Sequence, residues 1–304
     1  MENKVNEYLS TLSKSTTIYG IGAIIVNLLG LALIPILTNY FSPIQFGNIE
    51  LIFILVNFLI SIMGFGMEQT QSYYYYNNKL NCSKNELISN ILNFKLIWSF
   101  IIFFIFIFFS SIISIFIFNQ QEDLKIFITV FFISFFMSFS YQLLLIYRLD
   151  FKPVRYVLYT IIEALIRLIT ILIVLLYFQK SIQEYFYSFL FSYLILFLIL
   201  LFEFRNFIKI NFQYHIIKKI IKYAMPLLPL TFLWFLISIT DRIYISNFLN
   251  LAVLGLYSIA AKFVLGINFL IDIFHKSWWP IIMKSINEDF LIYNSLFNKV
   301  LRYY

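Results

Sequence analysis

"TIIEALIRLITILIVLL", Thr160 to Leu176, wraps an apolar run of membrane-crossing length around one acid and one base, Glu163 and Arg167. Each such charge costs about 2.5–3.5 kcal/mol at the bilayer centre even on the lenient insertion scale, so this face must be hidden from lipid. Glu163 and Arg167 stand four residues apart and share one side of a helix, and Thr160 and Thr170 extend the polar stripe. Ionisable side chains at membrane depth turn to a bundle interior or a watered space. The stretch therefore predicts one helix of a membrane bundle. It leaves two readings of the pair: a self-neutralising lock between helices, or a piece of a polar path.

The rest of the chain agrees. Of its 304 residues 62% are hydrophobic, 21% aromatic and 12% charged, and the mean hydropathy is +0.87. A soluble body of that size needs more polar surface. Apolar runs of about 20 residues fall at 18–38, 48–66, 97–118, 126–147, 157–178, 185–203, 224–246 and 252–274. The polar start "MENKVNEYLSTLSKSTT" precedes a run too long for a secretory signal and reads as a segment before an uncleaved first helix. The fold class is an all-α polytopic membrane protein.

Positive charge orients the bundle, because loops that stay cytoplasmic keep their lysines and arginines. Seventeen of the 22 cluster on the side of the N-terminus, from Lys4 and Lys14 through Lys95, Arg148 and the 205–222 stretch, with Lys209, to Lys276 and Arg302. The opposite connections, "FSPIQFGN", "NQQEDLK", "QKSIQE" and "NFLNL", hold only Lys125 and Lys180. The N-terminus is expected in the cytoplasm. The net charge of +7 is then explained by basic loops facing an anionic leaflet, without nucleic acid.

Two stretches resemble each other: "IYGIGAIIVNLLGLALIPILTNYFSPIQFGNIELI" and "KYAMPLLPLTFLWFLISITDRIYISNFLNLAVLGLYSI". Each carries a proline-bearing helix, a polar-aromatic end, a short connection and a glycine, Gly47 or Gly255, leading into the next helix. Parallel repeats of this kind build two-lobed secondary transporters. The expected organisation is a cytoplasmic segment 1–15, a first six-helix lobe 16–203 and a basic linker 204–222. Helices seven and eight of a second lobe follow at 223–276, and then a cytoplasmic segment 277–304 leading to a ninth helix that the chain lacks.

"KSTTIYG" (Lys14 to Gly20), "PILTNYFSPIQFG" (Pro35 to Gly47), "YAMPLLPLTFLWFLISITDRIYISNFLNLAVLGLYSIAAKF" (Tyr223 to Phe263) and "SWWPIIMKS" (Ser277 to Ser285) together resemble the Wzx-type oligosaccharide flippases of bacterial polysaccharide biosynthesis. The resemblance implies a two-lobed helical bundle of the multidrug/oligosaccharidyl-lipid/polysaccharide exporter kind, with a central cavity. It also implies movement of undecaprenyl-pyrophosphate-linked oligosaccharide, O-antigen units among them, across the inner membrane. Membrane lipids and other polysaccharide-assembly proteins are the implied partners. The chain departs from the family by stopping after eight helices.

Three cations fall inside spans: Arg167, Arg242 and Lys262. Lys262 has no acid three or four residues away on its own helix, so it needs a distant acid, a watered space or an anionic substrate. Arg242 adjoins Asp241, and neighbouring residues point about 100° apart, so the two are expected to face different partners. Arg242 either lines the lumen or snorkels outward. Summed with Glu163 and Asp241, the deep charges leave one positive excess, which suits a phosphate-bearing substrate. Arg167, Arg242 and Lys262 are the candidate substrate cations, and Glu163 and Asp241 are coupling-ion or structural acids. Gly30, Pro35, Pro226 and Pro229 are candidate helix breaks at a moving seam. "GMEQTQSYYYYNN" (Gly66 to Asn78) reads as an interfacial tyrosine anchor, with stacking on sugar rings as the alternative.

Neither the single Cys82 nor the separated His215 and His275 offers metal-ligand spacing, and no phosphate loop or nucleophile elbow occurs. No cofactor, metal or covalent chemistry is expected. Two rivals stay open: a cation-coupled multidrug exporter, which would favour an acidic cavity, and an inactive remnant of a longer gene.

Overall fold

The computed structural model describes residues 2–118, 122–178, 181–208, 212–264 and 266–303. Lys180 and Lys209 lie outside them. Regular structure among the described residues is helical.

α1 (Glu2–Tyr40) spans 39 residues, about 58 Å at 1.5 Å per residue, so it projects well beyond a hydrocarbon layer of about 30 Å. Gly30 and Pro35, expected to break it, do not: the helix runs through both. Proline removes one backbone donor, but each further unwound residue in lipid would expose more unpaired polar backbone, so the helix continues. Ser42 then caps α2 (Pro43–Gly64): its N–H donates to Gln45 Oε1 at 2.8 Å and its hydroxyl accepts from Gln45 N. This reciprocal cap, with Pro43 preset at the first turn, starts the helix without residues to spare. Phe65 and Gly66 adopt left-handed φ of 46° and 66° and bend the chain into α3 (Met67–Tyr76).

α3 carries the tyrosine run, and one side of it packs into the protein. Thr70, Gln71, Ser72 and Tyr75 are buried. Tyr75 donates to Asp150 Oδ1 at 2.6 Å and Tyr76 to Leu149 O. The hydroxyls of Tyr75 and Tyr76, set on a short helix, satisfy the end of a neighbouring helix.

α4 (Lys84–Phe108) is capped by Ser83 and Glu86 and turns at Phe109 into α5 (Ser110–Phe118). The exposed Phe100, Phe104, Phe108 and Phe116 form an apolar outer surface. α6 (Leu124–Leu149) is central, packed by α2, α4, α7 (Pro153–Tyr177) and α8 (Ile182–Glu203), while α1 lies along α7. α9 (Tyr214–Ala224) buries Ile216, Ile217 and Ile220 and exposes Lys218 and Lys219. A single 3-10 turn, Met225–Leu227, separates it from α10 (Leu228–Phe248), and Pro226 and Pro229 sit at that break. α11 (Leu251–Val264), α12 (Gly266–Glu288) and α13 (Phe290–Tyr303) follow. α10 and α11 lie on α2, and α12 lies on α1.

Among the described residues, 7 helices are long and apolar enough to cross a membrane. The eighth expected span, 252–274, is carried by α11 and the first turns of α12, with residue 265 between them outside the described set.

Lys95, counted among the basic loop residues, is instead inside the bundle at 1% exposure. Its ammonium donates to Ser138 O at 2.8 Å and Gln142 Oε1 at 3.3 Å, and Gln142 donates to Gln71 Oε1 at 2.6 Å. A polar seam of α3, α4 and α6 holds it. The hydropathy profile missed this because α4 begins at Lys84, well before the apolar run at 97.

Candidate functional site

Two chambers lie along the polar stripe of α7, and Arg167 lines both. The smaller, about 410 Å³, is walled by Tyr19 of α1, Glu68 of α3, Tyr141 and Arg148 of α6, Tyr156, Thr160, Glu163 and Arg167 of α7, Tyr193 of α8 and Lys276 of α12. The larger, about 540 Å³, takes Asn27 and Gly30 from α1, Glu50 and Asn57 from α2, Tyr185 and Phe189 from α8 and Lys262 from α11. A Cβ on Gly30 would meet nothing within 4 Å, so this glycine borders open space rather than a helix break.

The opening pair is real and intimate. Arg167 Nε lies 3.6 Å from Glu163 Oε1, and Ser192 of α8 donates to the same oxygen at 3.5 Å. Thr170 bonds across to Ser188 O at 3.4 Å, so the stripe fastens α7 to α8. The Arg167 guanidinium also sits 5.4 Å from the Phe189 ring centroid, a favourable cation–π distance. The pair is thus both lock and lining: it neutralises itself, both members face the smaller chamber, and Arg167 also faces the larger.

Lys262 joins Arg167 on the wall of the larger chamber. Among the described residues it has no ion-pair or hydrogen-bond partner; the carboxylate sharing its chamber is Glu50. Arg242 does not line either chamber's described wall. It forms a clasp, with its Nε 2.6 Å from Glu50 Oε1 and its Nη1 3.2 Å from Asp241 Oδ1, while Tyr257 donates to Asp241. The expectation that Asp241 and Arg242 face different partners is corrected here: the 100° separation fixes the Cβ directions, but the arginine stem is long enough to fold back on its neighbour. Asp241 itself is only partly covered, with a side chain 41% exposed.

Next to the clasp α2 and α11 cross at two glycines. A Cβ on Gly47 would stand 2.2 Å from Leu251 O, and one on Gly255 2.0 Å from Pro43 O. Gly47 lies five residues after its cap Ser42, and Gly255 five after Asn250, whose Oδ1 accepts from Val253 N at 2.9 Å. The two halves of the sequence repeat therefore meet at equivalent residues, and small residues allow the backbones to touch. At the opposite end Glu288 accepts from Tyr8 at 2.8 Å, with Lys4 and Lys284 each 3.7 Å away, over a core of Val5, Leu12, Ile281, Ile292 and Leu296.

Sequence reasoning missed Arg148, Lys276 and the five chamber tyrosines, four in the smaller chamber and Tyr185 in the larger. Arg148 and Lys276 were assigned to loops because they fall at the ends of apolar runs, and a tyrosine near a span end reads first as an interfacial anchor. The legible signal was their heptad-like spacing on α6 and α7: Tyr141 and Arg148 share one face, as do Tyr156, Thr160, Glu163 and Arg167. Among the described residues no group of three His, Cys, Asp or Glu could hold a metal.

Solved structures share this architecture. One, titled "protein A", matches with a TM-score of 0.74 at 12% identity over 92% of this chain; the chain spans 66% of its length. A MATE crystallised in complex with Br-NRF matches with a TM-score of 0.64 at 15% identity, covering 96% of this chain and 73% of that one. No curated protein matches. Residues 12–286 match the family model described as "Polysaccharide biosynthesis protein". With nearly the whole helical bundle inside that match, the chain belongs to the polysaccharide biosynthesis protein family.

Proposed function

We propose that this protein moves an undecaprenyl-pyrophosphate-linked oligosaccharide across the bacterial inner membrane for surface polysaccharide assembly, with its N-terminus in the cytoplasm. The observation that carries the reading is Arg167, the shared wall of two chambers that hold three cations against two acids and two cations against one. A diphosphate head leaving water needs charge-assisted donors along its way, and guanidinium and ammonium groups supply them. The tyrosine walls of the smaller chamber offer ring faces and hydroxyls to sugars. Family membership supports a place in polysaccharide synthesis, and the MATE-like fold supports transport by alternating exposure of the cavity. In this reading the Glu50–Arg242 clasp and the glycine crossing close the outer end. Glu163, buried beside Arg167, is the fitting acid for ion coupling.

A multidrug exporter of this fold would carry cationic compounds, for which both chambers have the wrong excess charge. The test is flipping of a fluorescent short-chain polyprenyl-diphosphate-linked sugar in liposomes containing the protein. Arg167→Gln and Lys262→Gln are expected to slow it at least about tenfold each, since a charge-assisted hydrogen bond is worth roughly 1.5–3 kcal/mol. Folded variants flipping at the wild-type rate would overturn the assignment.

A further inference from the structure

Two cations of the smaller chamber are left without an acid. Arg148, in the last turn of α6, and Lys276 of α12 make no ion pair among the described residues. Arg148 Nε is enclosed with no hydrogen-bond partner, and the Lys276 ammonium rests 5.9 Å from the centroid of the Tyr156 ring. The other chamber charges do not answer them: Glu163 is held by Arg167, which leaves Glu68 as one carboxylate against two free cations. A guanidinium nitrogen shut away from water without an acceptor marks a place for one.

We propose that Arg148 and Lys276 form a separate loading site that takes the diphosphate ester first, at the end of the bundle bearing the basic loops, before Arg167 and Lys262 receive it. The guanidinium fork matches two phosphoryl oxygens, and the ammonium adds a movable point charge from α12. Because one cation comes from α6 and the other from α12, the bound ester ties the N-terminal helices to the helices that follow the basic linker. This inference rests on the transport reading above. The recognising chemistry is a diphosphate ester, whether it arrives on a lipid or on a soluble metabolite.

The experiment measures binding to the full chain in lipid nanodiscs, by quenching of Trp278 and Trp279 fluorescence or by calorimetry. The probes are a short-chain polyprenyl diphosphate, inorganic pyrophosphate and the uncharged polyprenol. Arg148→Gln and Lys276→Gln are each expected to weaken the polyprenyl diphosphate about tenfold to hundredfold and to leave the polyprenol unchanged. Lys276→Arg should restore most of the affinity, and Arg148→Lys only part, because lysine lacks the fork. These two conservative variants keep the test open should a glutamine variant fail to fold. Wild-type affinity in both glutamine variants, with a loss in Arg167→Gln, overturns the loading site and spares the transport reading. No change in any of the four cation variants, Lys262→Gln included, overturns both. Pyrophosphate binding as tightly as the lipid, with the same dependence on Arg148 and Lys276, upholds the site and assigns it to a soluble diphosphate; tight binding of the lipid alone assigns it to the membrane substrate.

Discussion

The glycine crossing of α2 and α11 makes the sharpest prediction. Replacing Gly47 and Gly255 by alanine adds methyl groups 2.2 Å from Leu251 O and 2.0 Å from Pro43 O. An ordinary carbon–oxygen contact is more than 3 Å, so each methyl must retreat by about 1 Å from a backbone atom. Backbone oxygens inside helices cannot step aside singly, so the two helix ends must part together. Overpacking of this kind costs about 1–3 kcal/mol, and the two sites share one crossing, so their costs do not add. Taking about 2 kcal/mol, the state with this crossing closed loses roughly thirtyfold in population against one with it parted. The assay uses Asn57→Cys in the larger chamber, in a background where the native Cys82 is serine, with a membrane-impermeant maleimide added to right-side-out vesicles. Cys82 would contribute little label in any case, because burial and then the Glu86 carboxylate push its thiol up, keeping the thiolate scarce. The double alanine variant should label at least about tenfold faster than the glycine parent. Equal labelling rates in two equally folded proteins would refute the proposal that this crossing seals the larger chamber on the outer side.

Two further outcomes test the framework. Lys95→Ala should lower thermal stability in detergent by about 1–3 kcal/mol, because Ser138 O and Gln142 Oε1 lose their donor inside the seam; Lys95→Met, which keeps most of the stem's packing, should cost less, and a methionine variant more stable than wild type would show that the seam is not held by this ammonium. Asp150, at the α6–α7 connection, is raised by burial but lowered further by the hydrogen bonds from Tyr75 and Lys152 and by the Lys152 charge, so that its carboxyl lies below the ordinary range. A folded-state pKa below the unfolded one gives stability that is full above the unfolded value and fades as pH falls through the folded one. Asp150→Asn should therefore cost about 1–2 kcal/mol at neutral pH, allowing for partial exposure, and the difference from wild type should close only in acid below the usual carboxylate titration, as followed by unfolding at stepped pH.

What could be read without coordinates was set by short-range physics. Hydrocarbon tolerates neither exposed backbone nor unpaired charge, so apolar runs became helices, and the four-residue spacing of Glu163 and Arg167 placed both on one hidden face. The caps at Ser42 and Ser83 and the break at Pro226 and Pro229 are likewise local chemistry. Lys95 and Arg242 show the limit. A lysine beyond the edge of an apolar run looks solvent-bound until another helix supplies Ser138 and Gln142, and Arg242 could have faced a lumen until α2 brought Glu50 to it. Arg148, Lys276 and the chamber tyrosines belong to helices distant in sequence, and nothing in their own neighbourhoods distinguishes a cavity wall from a membrane rim. Glycine spacing hinted at a repeat, yet only the crossing of α2 on α11 showed that Gly47 and Gly255 let equivalent backbones touch. Periodicity tells which face of a helix is polar; which other face it meets is decided by packing between segments that the order of residues does not bring together.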